Sequence, residues 1–209
     1  MKYSSCTDYW LDKGKNVLRG EFEQMYKDIE DPWGCHKYAD SLNNKIFLEI
    51  LFYKRQFKKV LDIGCGLGGF TNLLFQRNGG GIIGMDISKT AIEKAKKLYP
   101  YIQFTVGNII TDDLKERFDL IVMSEVIWYI LDGIKDVFRK LYLSLESHDS
   151  VLGIHQYFPD DQKFGRDIIN GLEGFETFIK KETDFAFKNK VISFGESEGR
   201  VLLATLKPK

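Results

Sequence analysis

The amino-acid sequence predicts an α/β protein with a doubly wound, mostly parallel sheet and a helical cap at its N-terminus. From about residue 55 onward, short apolar runs that are typical of buried strands alternate with amphipathic helical patterns. A glycine-rich turn follows the first of these runs, where a strand would pass into a helix. The residues before this part of the chain show helical periodicity instead. We therefore divide the chain into a helical cap, residues 1–54, and a ligand-binding domain, residues 55–209.

Composition excludes several classes of protein. The 209 residues suit one domain with a terminal addition, and 30 Lys and Arg balance 30 Asp and Glu. No overall field then attracts nucleic acid or anionic membrane, so neither is an expected partner. There is no signal peptide and no apolar run near the ~20 residues that span a bilayer, so we expect a cytoplasmic protein. The cysteines, Cys6, Cys35 and Cys65, form no paired metal motif, and we expect no metal site.

The N-terminal cap is predicted to contain two helices. Leu18, Phe22, Met25 and Ile29 recur at spacings of four, three and four, which gives one apolar stripe on a helix. Pro32 ends that helix, because proline disfavours helical backbone at the residue before it. A second helix is predicted over about residues 41–52.

The glycine-rich turn lies within residues 60–69, after a short apolar strand and before a helix that is predicted to end near residue 77. Gly64 can adopt backbone angles that other residues avoid, while Gly66 and Gly68 leave no side chain between the main chain and a ligand. The helix that follows directs free N–H groups and the positive end of its dipole into the turn. A negatively charged or carboxylate-bearing cofactor is therefore expected there.

The remaining elements follow in alternation. Strands are predicted at residues 82–85, 103–106, 118–123 and 151–155, and weaker ones at 177–179 and 201–204. Ser88 and Asp132 stand where they could cap the intervening helices. Doubly wound sheets bind ligands beyond the carboxyl ends of their strands, and the motifs described here fall at those ends.

Two kinds of cofactor are compatible with the turn alone. The spacing Gly64-x-Gly66-x-x-Gly69 also fits a dinucleotide-binding fingerprint. Asp86, 20 positions after Gly66, could accept hydrogen bonds from both ribose hydroxyls of the adenosine in either kind of cofactor. Asp62, immediately before the turn, suits a cationic amino group better than a pyrophosphate.

Four motifs in order, at residues 62–68, 86–87, 107–109 and 124–129, resemble those of the class I S-adenosylmethionine-dependent methyltransferases over roughly residues 55–157. The resemblance implies a seven-stranded Rossmann-like sheet and S-adenosylmethionine as the cofactor. Asn108 departs from the acidic residue often found there, but its amide could still read an adenine edge. The candidate cofactor-binding residues are Asp62, Gly64, Gly66, Gly68, Asp86, Ile87, Asn108, Ile109, Ser124 and Trp33.

A narrower resemblance concerns the segment before the turn. Asp31-Pro32-Trp33, the nearby residues 37–39 and the motif at 124–129 are similar to those of the NodS-type methyltransferases, which N-methylate a glucosamine-ended chitooligosaccharide. The likeness implies that the first 45 residues close over the cofactor and help to shape the acceptor pocket.

Methyl transfer requires little of the protein beyond alignment of the acceptor and removal of water, because the sulfonium is already activated. An amine acceptor needs no strong base, whereas a hydroxyl is helped by one. His155 at the end of the fifth strand is the first candidate base and Glu125 is the second. Candidate acceptor contacts are Tyr38, Trp128, Tyr129, Tyr157 and Arg166.

We therefore expect a methyltransferase that acts on an amine or hydroxyl of a small molecule, a sugar or surface-glycan precursor being one candidate. A first alternative is an O-methyltransferase of a phosphorylated or phosphoramidate-type capsular intermediate, with Arg166 or lysines facing the anion. A second is a cofactor-binding partner protein without catalysis. A nicotinamide oxidoreductase is less favoured, because it leaves the motif at 124–129 unexplained.

Overall fold

A computed structural model describes residues 2–34, 41–194 and 198–209 of the chain. Its α-helices are α1 Thr7–Trp10, α2 Phe22–Asp28, α3 Leu42–Phe52, α4 Gly69–Asn78, α5 Lys89–Leu98, α6 Ile134–Leu143 and α7 Gly171–Glu182. Its strands are β1 Leu11–Asp12, β2 Val17–Leu18, β3 Val60–Ile63, β4 Ile82–Asp86, β5 Gln103–Val106, β6 Leu120–Ser124, β7 Val151–Pro159, β8 Phe185–Phe194 and β9 Gly199–Pro208. Two short 3-10 turns cover Ile127–Tyr129 and Leu131–Gly133.

Seven strands form the main sheet, in the order β5-β4-β3-β6-β7-β9-β8. The first five of these are mutually parallel, while β9 runs antiparallel to both β7 and β8. The doubly wound, mostly parallel sheet is therefore confirmed. The chain leaves β3 toward β4 and β5 on one side and later returns to β6 on the other. The carboxyl ends of β3 and β6 consequently border the crevice where such sheets bind ligands.

Burial on both faces explains why the central strands are continuous apolar runs. Along β3, Leu61 and Ile63 belong to the core on the face covered by α6 and α7. Val60 belongs to the opposite core, together with Phe47 and Leu51 of α3. Helix α3 thus packs on the sheet, and the domain boundary at residue 54 stays a prediction.

The N-terminal segment, residues 2–34, is attached to α5 by contacts at both ends of α2. The Glu23 carboxylate accepts hydrogen bonds from Ser88 Oγ at 2.7 Å and from Thr90 N at 3.0 Å, at the first turn of α5. The Lys94 ammonium group donates to the carbonyl of Tyr26 at 2.7 Å and also to those of residues 29 and 30. These contacts hold α2 beside the carboxyl end of β4.

Three sequence-based assignments need correction. Leu18 lies in β2, because the chain turns at Gly20 with a φ of 69° and α2 begins only at Phe22. Residues 177–179 are part of α7, whose buried side chains recur with helical rather than alternating spacing. Asp132 lies inside a 3-10 turn and does not cap α6, which begins after Gly133.

Candidate active site

A cavity of about 790 Å³ lies at the carboxyl ends of β3, β4, β6 and β7. The loops that follow β3, β4, β5 and β6, together with residues 155 and 157 within β7, form its floor and one wall. The N-terminal segment contributes Phe22, Tyr26 and Trp33 to the opposite wall, and α3 contributes Asn44. Residues distant in the sequence therefore surround one space, as the position of the motifs predicts.

The glycine turn is tightly packed at the cavity floor. Gly64 has a φ of 74°, and a Cβ atom built on it would approach Val126 Cγ2 to 2.6 Å. A Cβ atom on Gly66 would approach Tyr26 Oη to the same 2.6 Å. Gly68 does not lie on the cavity wall; its absent side chain leaves room for the Phe104 ring, 2.7 Å from the Cβ position. The structure therefore gives Gly68 a packing role and does not bring it to the cofactor side of the cavity.

Asp86 ends β4 and holds the turn in place. Its side chain is largely buried, and Oδ2 accepts a hydrogen bond from Gly66 N at 2.9 Å while Oδ1 accepts one from Ser88 N at 2.8 Å. Burial raises the pKa of this carboxyl, and the nearby Glu23 carboxylate raises it further. A carboxylate offers about four lone-pair positions, so Asp86 can still accept hydrogen bonds from a ligand in the cavity.

Asp62 supplies a second buried carboxylate at the same end of the cavity. It is only 2% exposed, and its Oδ2 accepts a hydrogen bond from Thr71 Oγ1 at 2.7 Å. Burial raises its pKa to about 7, and the neighbouring Asp86 contributes in the same direction. A cationic group bound here would favour the ionised form, which suits the amino group predicted for this position.

The next part of the wall is largely apolar. The cavity is lined here by Ile87, which follows β4, and by Asn108 and Ile109, which follow β5. The Asn108 side-chain oxygen accepts a hydrogen bond from Ile110 N at 3.0 Å, which fixes the orientation of its amide. Flat apolar surface beside an oriented amide suits an adenine ring.

Polar side chains at the end of β6 and in the middle of β7 form the other part of the wall; β7 continues to Pro159, so His155 does not end its strand as predicted. Ser124 Oγ lies 3.1 Å from His155 Nδ1, and His155 Nε2 lies 3.8 Å from Glu125 Oε1. Glu125 has a φ of 58°, an uncommon backbone conformation for a residue other than glycine. The structure thus brings together the two residues that the sequence proposes as proton acceptors.

Hydrogen bonds fix the Glu125 carboxylate from the side of β7. Its Oε1 accepts from Tyr157 N at 2.9 Å and its Oε2 accepts from Gln156 Nε2 at 2.9 Å. The side chain faces the cavity and is 45% exposed, but protein surrounds its other sides. This burial raises its pKa to about 7, against the effect of the Tyr157 N–H, and burial lowers the pKa of His155 to about 4. At neutral pH His155 is therefore uncharged and Glu125 can exchange a proton.

Aromatic rings cover the wall contributed by the N-terminal segment. Tyr129 lies on the cavity wall, with its ring centroid 5.0 Å from that of Phe22, 5.3 Å from that of Trp10 and 6.1 Å from that of Trp33. Burial raises the pKa of the Tyr129 hydroxyl well above its usual range. This cluster gives the cavity an apolar, electron-rich side that can contact a cation.

The other predicted acceptor contacts have different positions. Tyr157 lines the cavity. Trp128 does not: its indole N–H donates to the Tyr157 carbonyl at 3.0 Å, and its ring packs edge-on against Phe158. Arg166 lies at a separate surface pocket, where its Nε donates to Asn170 Oδ1 at 3.0 Å. Tyr38 lies outside the described residues.

Sequence reasoning missed Gln156. Its side chain is fully buried and supports Glu125 from within β7. The available signal was a polar residue inside an otherwise apolar strand, which requires internal hydrogen-bond partners.

The cavity fits S-adenosylmethionine by the chemistry of its wall. Asp86 can accept the ribose hydroxyls, Ile87 and Ile109 can contact the adenine faces, and Asp62 can face the ammonium end. No group of three His, Cys, Asp or Glu side chains in the described part of the chain is arranged to hold a metal ion. Across the same residues, no helix is long and apolar enough to cross a membrane.

The raised pKa of Asp62 predicts a pH dependence of stability. A carboxyl whose pKa is higher in the folded state than in the unfolded state stabilises the fold at low pH, and this stabilisation disappears as the pH rises toward 7. Asp62→Asn keeps the shape without the titration, so its unfolding free energy should fall less steeply than that of the wild-type protein between about pH 4 and 7, by at most about 1.4 kcal/mol per pH unit. Urea unfolding at several pH values measures both slopes. His155 titrates with the opposite sign in both proteins, so equal slopes would contradict the Asp62 assignment.

Comparison with known proteins identifies the domain. A family model described as a methyltransferase domain matches residues 60–148. The crystal structure of the N-methyltransferase NodS from Bradyrhizobium japonicum WM9, in complex with S-adenosyl-L-homocysteine, is similar with a TM-score of 0.72 and 21% identity, over 90% of this chain and 98% of that chain.

Two relatives in sequence cover parts of the chain. A putative methyltransferase of Invertebrate iridescent virus 6 is 35% identical over 96 residues, which is 43% of this chain and 36% of that protein. A malonyl-[acyl-carrier protein] O-methyltransferase of Acetivibrio thermocellus is 28% identical over 204 residues, which is 81% of this chain and 71% of that protein. The chain thus spans about a third of the length of one of these relatives and about two thirds of the other. These comparisons show that residues 60–148 match a methyltransferase domain and that the chain has a fold similar to that of NodS.

Proposed function

We propose that this protein transfers the methyl group of S-adenosylmethionine to an amine or hydroxyl of a small polar acceptor that carries no phosphate or other strongly anionic group. One observation carries the proposal. Ser124, Glu125 and His155 form a polar wall on the same cavity as the glycine turn and Asp86. A proton acceptor and a cofactor site on one enclosed space are what methyl transfer to an N–H or O–H group requires.

The cofactor supplies an activated methyl group, and the residues of this chain hold the reactants and accept the proton. Asp86 acts at the ribose of the cofactor and Asp62 at its amino group, both away from the reacting centre. A fixed negative charge against the sulfonium would favour the reactant over a transition state that loses positive charge. The aromatic wall of Phe22, Trp33 and Tyr129 excludes water.

The proton leaves in one of two ways. An amine that binds as its ammonium form gives a proton to a Glu125 oxygen and becomes the neutral nucleophile. A hydroxyl gives its proton to His155 Nε2 in the neutral tautomer whose Nδ1–H donates to Ser124 Oγ, because Nε2 then carries the free lone pair.

Charge on the cavity wall argues against the alternative of a phosphorylated capsular intermediate. Among the described residues of the wall there is no Lys or Arg, while Asp62, Asp86 and Glu125 all lie there. Arg166, the residue proposed for an anion, lies at the separate surface pocket. A phosphate in this cavity would face carboxylates without a compensating cation, which is unfavourable. A sugar or surface-glycan precursor with a free amine or hydroxyl remains a candidate.

The proposal predicts binding of S-adenosylmethionine and S-adenosylhomocysteine, and none of NAD, in calorimetric titrations of the purified protein. Methyl transfer from labelled cofactor is then measured on matched acceptors that differ only in an amine or a hydroxyl, such as glucosamine and glucose. Glu125→Gln should lower transfer to an amine, and His155→Gln should lower transfer to a hydroxyl, on the order of 100-fold, because each variant removes the proton acceptor assigned to that group. Glu146→Gln, which changes a carboxylate outside the cavity wall, is the control.

The alternatives give different results. Binding of NAD alone would contradict the proposal at its first step. Binding of the adenosyl ligands with unchanged transfer in both Glu125→Gln and His155→Gln would contradict the assigned proton acceptors. Binding without transfer to any acceptor would favour the non-catalytic partner protein.

A further inference from the structure

Gln156 lies on β7 between His155 and Tyr157, and water reaches none of its surface. Its amide makes three hydrogen bonds. Nε2 donates to Glu125 Oε2 at 2.9 Å and to the Tyr157 carbonyl at 3.2 Å, while Oε1 accepts from Ile127 N at 3.0 Å. The side chain therefore joins the loop after β6 to β7 at the polar wall of the cavity.

The orientation of this amide is determined by its partners. Ile127 contributes a backbone N–H, which can only donate, so the Gln156 oxygen must face it. The amide nitrogen then faces two acceptors, the Glu125 carboxylate and the Tyr157 carbonyl. The opposite orientation would place NH₂ against N–H and oxygen against a carboxylate, losing all three bonds.

Glu125 depends on this support because little else on that side favours its charge. Two donors reach its oxygens, the Gln156 amide and Tyr157 N. The titratable groups that face it are His155, neutral at physiological pH and 3.8 Å away, and Tyr129 from the turn after β6. Among these partners, Gln156 is the side chain that both orients the Glu125 carboxylate and stabilises its ionised form.

We propose that Gln156 is a positioning residue of the methyl-transfer site: its amide, oriented by the Ile127 N–H, stabilises the ionised form of Glu125 and keeps the carboxylate turned to receive the acceptor's proton. The inference deepens the proposed function, because it has a catalytic meaning only where Glu125 is the proton acceptor. It adds a residue that touches neither reactant and acts through Glu125.

The test replaces the amide by a carboxyl of the same shape. In Gln156→Glu the oxygen facing Ile127 N is retained, but an oxygen now faces Glu125 Oε2. Two adjacent carboxyls share one proton and titrate in two coupled steps. The reporter is the His155 ring carbon between its nitrogens, followed by NMR from pH 5 to 9; the chain has only three histidines, and His155→Gln assigns the signal.

In the wild-type protein we expect one step, which disappears in Glu125→Gln. In Gln156→Glu we expect two steps, at least about one pH unit apart, one below and one above the wild-type midpoint. In Glu125→Gln with Gln156→Glu, which exchanges the two groups, a single step should return. Transfer activity should not return, because the carboxylate then no longer faces the cavity.

Gln162→Glu is the matched control. Gln162 is also buried, its Nε2 donates to the carbonyls of Phe164 and Ile169, and its Oε1 accepts from Gly171 N. The bonding pattern is the same, but no carboxylate takes part. This variant should cost a similar amount of stability and leave the His155 titration unchanged.

One unchanged step in Gln156→Glu would overturn the inference, as would equal effects of Gln162→Glu. If Gln156→Glu does not fold, the double variant Glu125→Gln with Gln156→Glu tests the inference instead. Two titration steps of the His155 signal in that variant, or none, would overturn the inference. S-Adenosylhomocysteine binding is measured on the same samples. Its absence in the wild-type protein would contradict the proposed function, whereas binding with an unchanged titration would contradict only the role of Gln156.

Discussion

Asp86→Ala should weaken the binding of S-adenosylhomocysteine on the order of 100-fold. A hydrogen bond to a charged group contributes roughly 1.5–3 kcal/mol, and a ribose bound at Asp86 would lose such bonds. The variant also leaves the N–H groups of Gly66 and Ser88 without their acceptor, which loosens the turn. The predicted loss therefore combines direct contacts with the shape of the cavity floor.

Calorimetric titration measures this effect, and Asp119→Ala provides the control. Asp119 also accepts hydrogen bonds from two backbone N–H groups, those of Lys58 and Lys59, at 2.8 and 2.7 Å. It lies just before β6, at the amino end of the strand, so the variant should lose comparable stability and keep the affinity. Equal affinities of Asp86→Ala and the wild-type protein would contradict the assignment of Asp86 to the ribose.

Gly64→Ala should destabilise the fold by about 2–5 kcal/mol. Left-handed backbone costs a residue with a Cβ atom about 1–2 kcal/mol, and forcing an extra methyl group into a filled core costs about 1–3 kcal/mol more. Both penalties apply here, because φ is 74° and the new Cβ would lie 2.6 Å from Val126 Cγ2. Chemical denaturation measures the free energy of unfolding.

A matched glycine separates the two penalties. Gly79 has a φ of 81°, but nothing lies within 4 Å of its Cβ position. Gly79→Ala should therefore show only the backbone penalty. Adding Val126→Ala to Gly64→Ala should recover part of the packing penalty, beyond the sum of the separate effects. Equal losses in the two glycine variants would contradict a steric role for Val126.

The central sheet could be predicted because its strands are short apolar runs at regular intervals. The run at residues 60–63 forms a strand as predicted, and so does the run at 103–106. Asp86 could be placed near the turn because both follow neighbouring parallel strands, whose carboxyl ends meet at one edge. Glu125 and His155 could each be assigned to the site because each was predicted to lie at the end of a strand of this sheet.

Other features depend on contacts that no local pattern encodes. Gly68 reads as a ligand-contact glycine, but its neighbour is Phe104, from a strand well downstream. Trp128 and Tyr129 are adjacent in the sequence, yet the 3-10 turn directs one into the core and the other to the cavity. Gln156 stands out in the sequence only as a polar residue beside an apolar run, and its role follows from its three hydrogen-bond partners.

The position of Ser88 links two parts of the molecule that would otherwise be separate. Its N–H donates to Asp86, and its hydroxyl donates to Glu23 of the N-terminal segment. Ser88 therefore supports both Asp86, which can hold the ligand, and the docking of α2 on α5. Linkage makes such coupling reciprocal: to whatever extent a docked α2 strengthens ligand binding, bound ligand strengthens the docking of α2 by the same free energy.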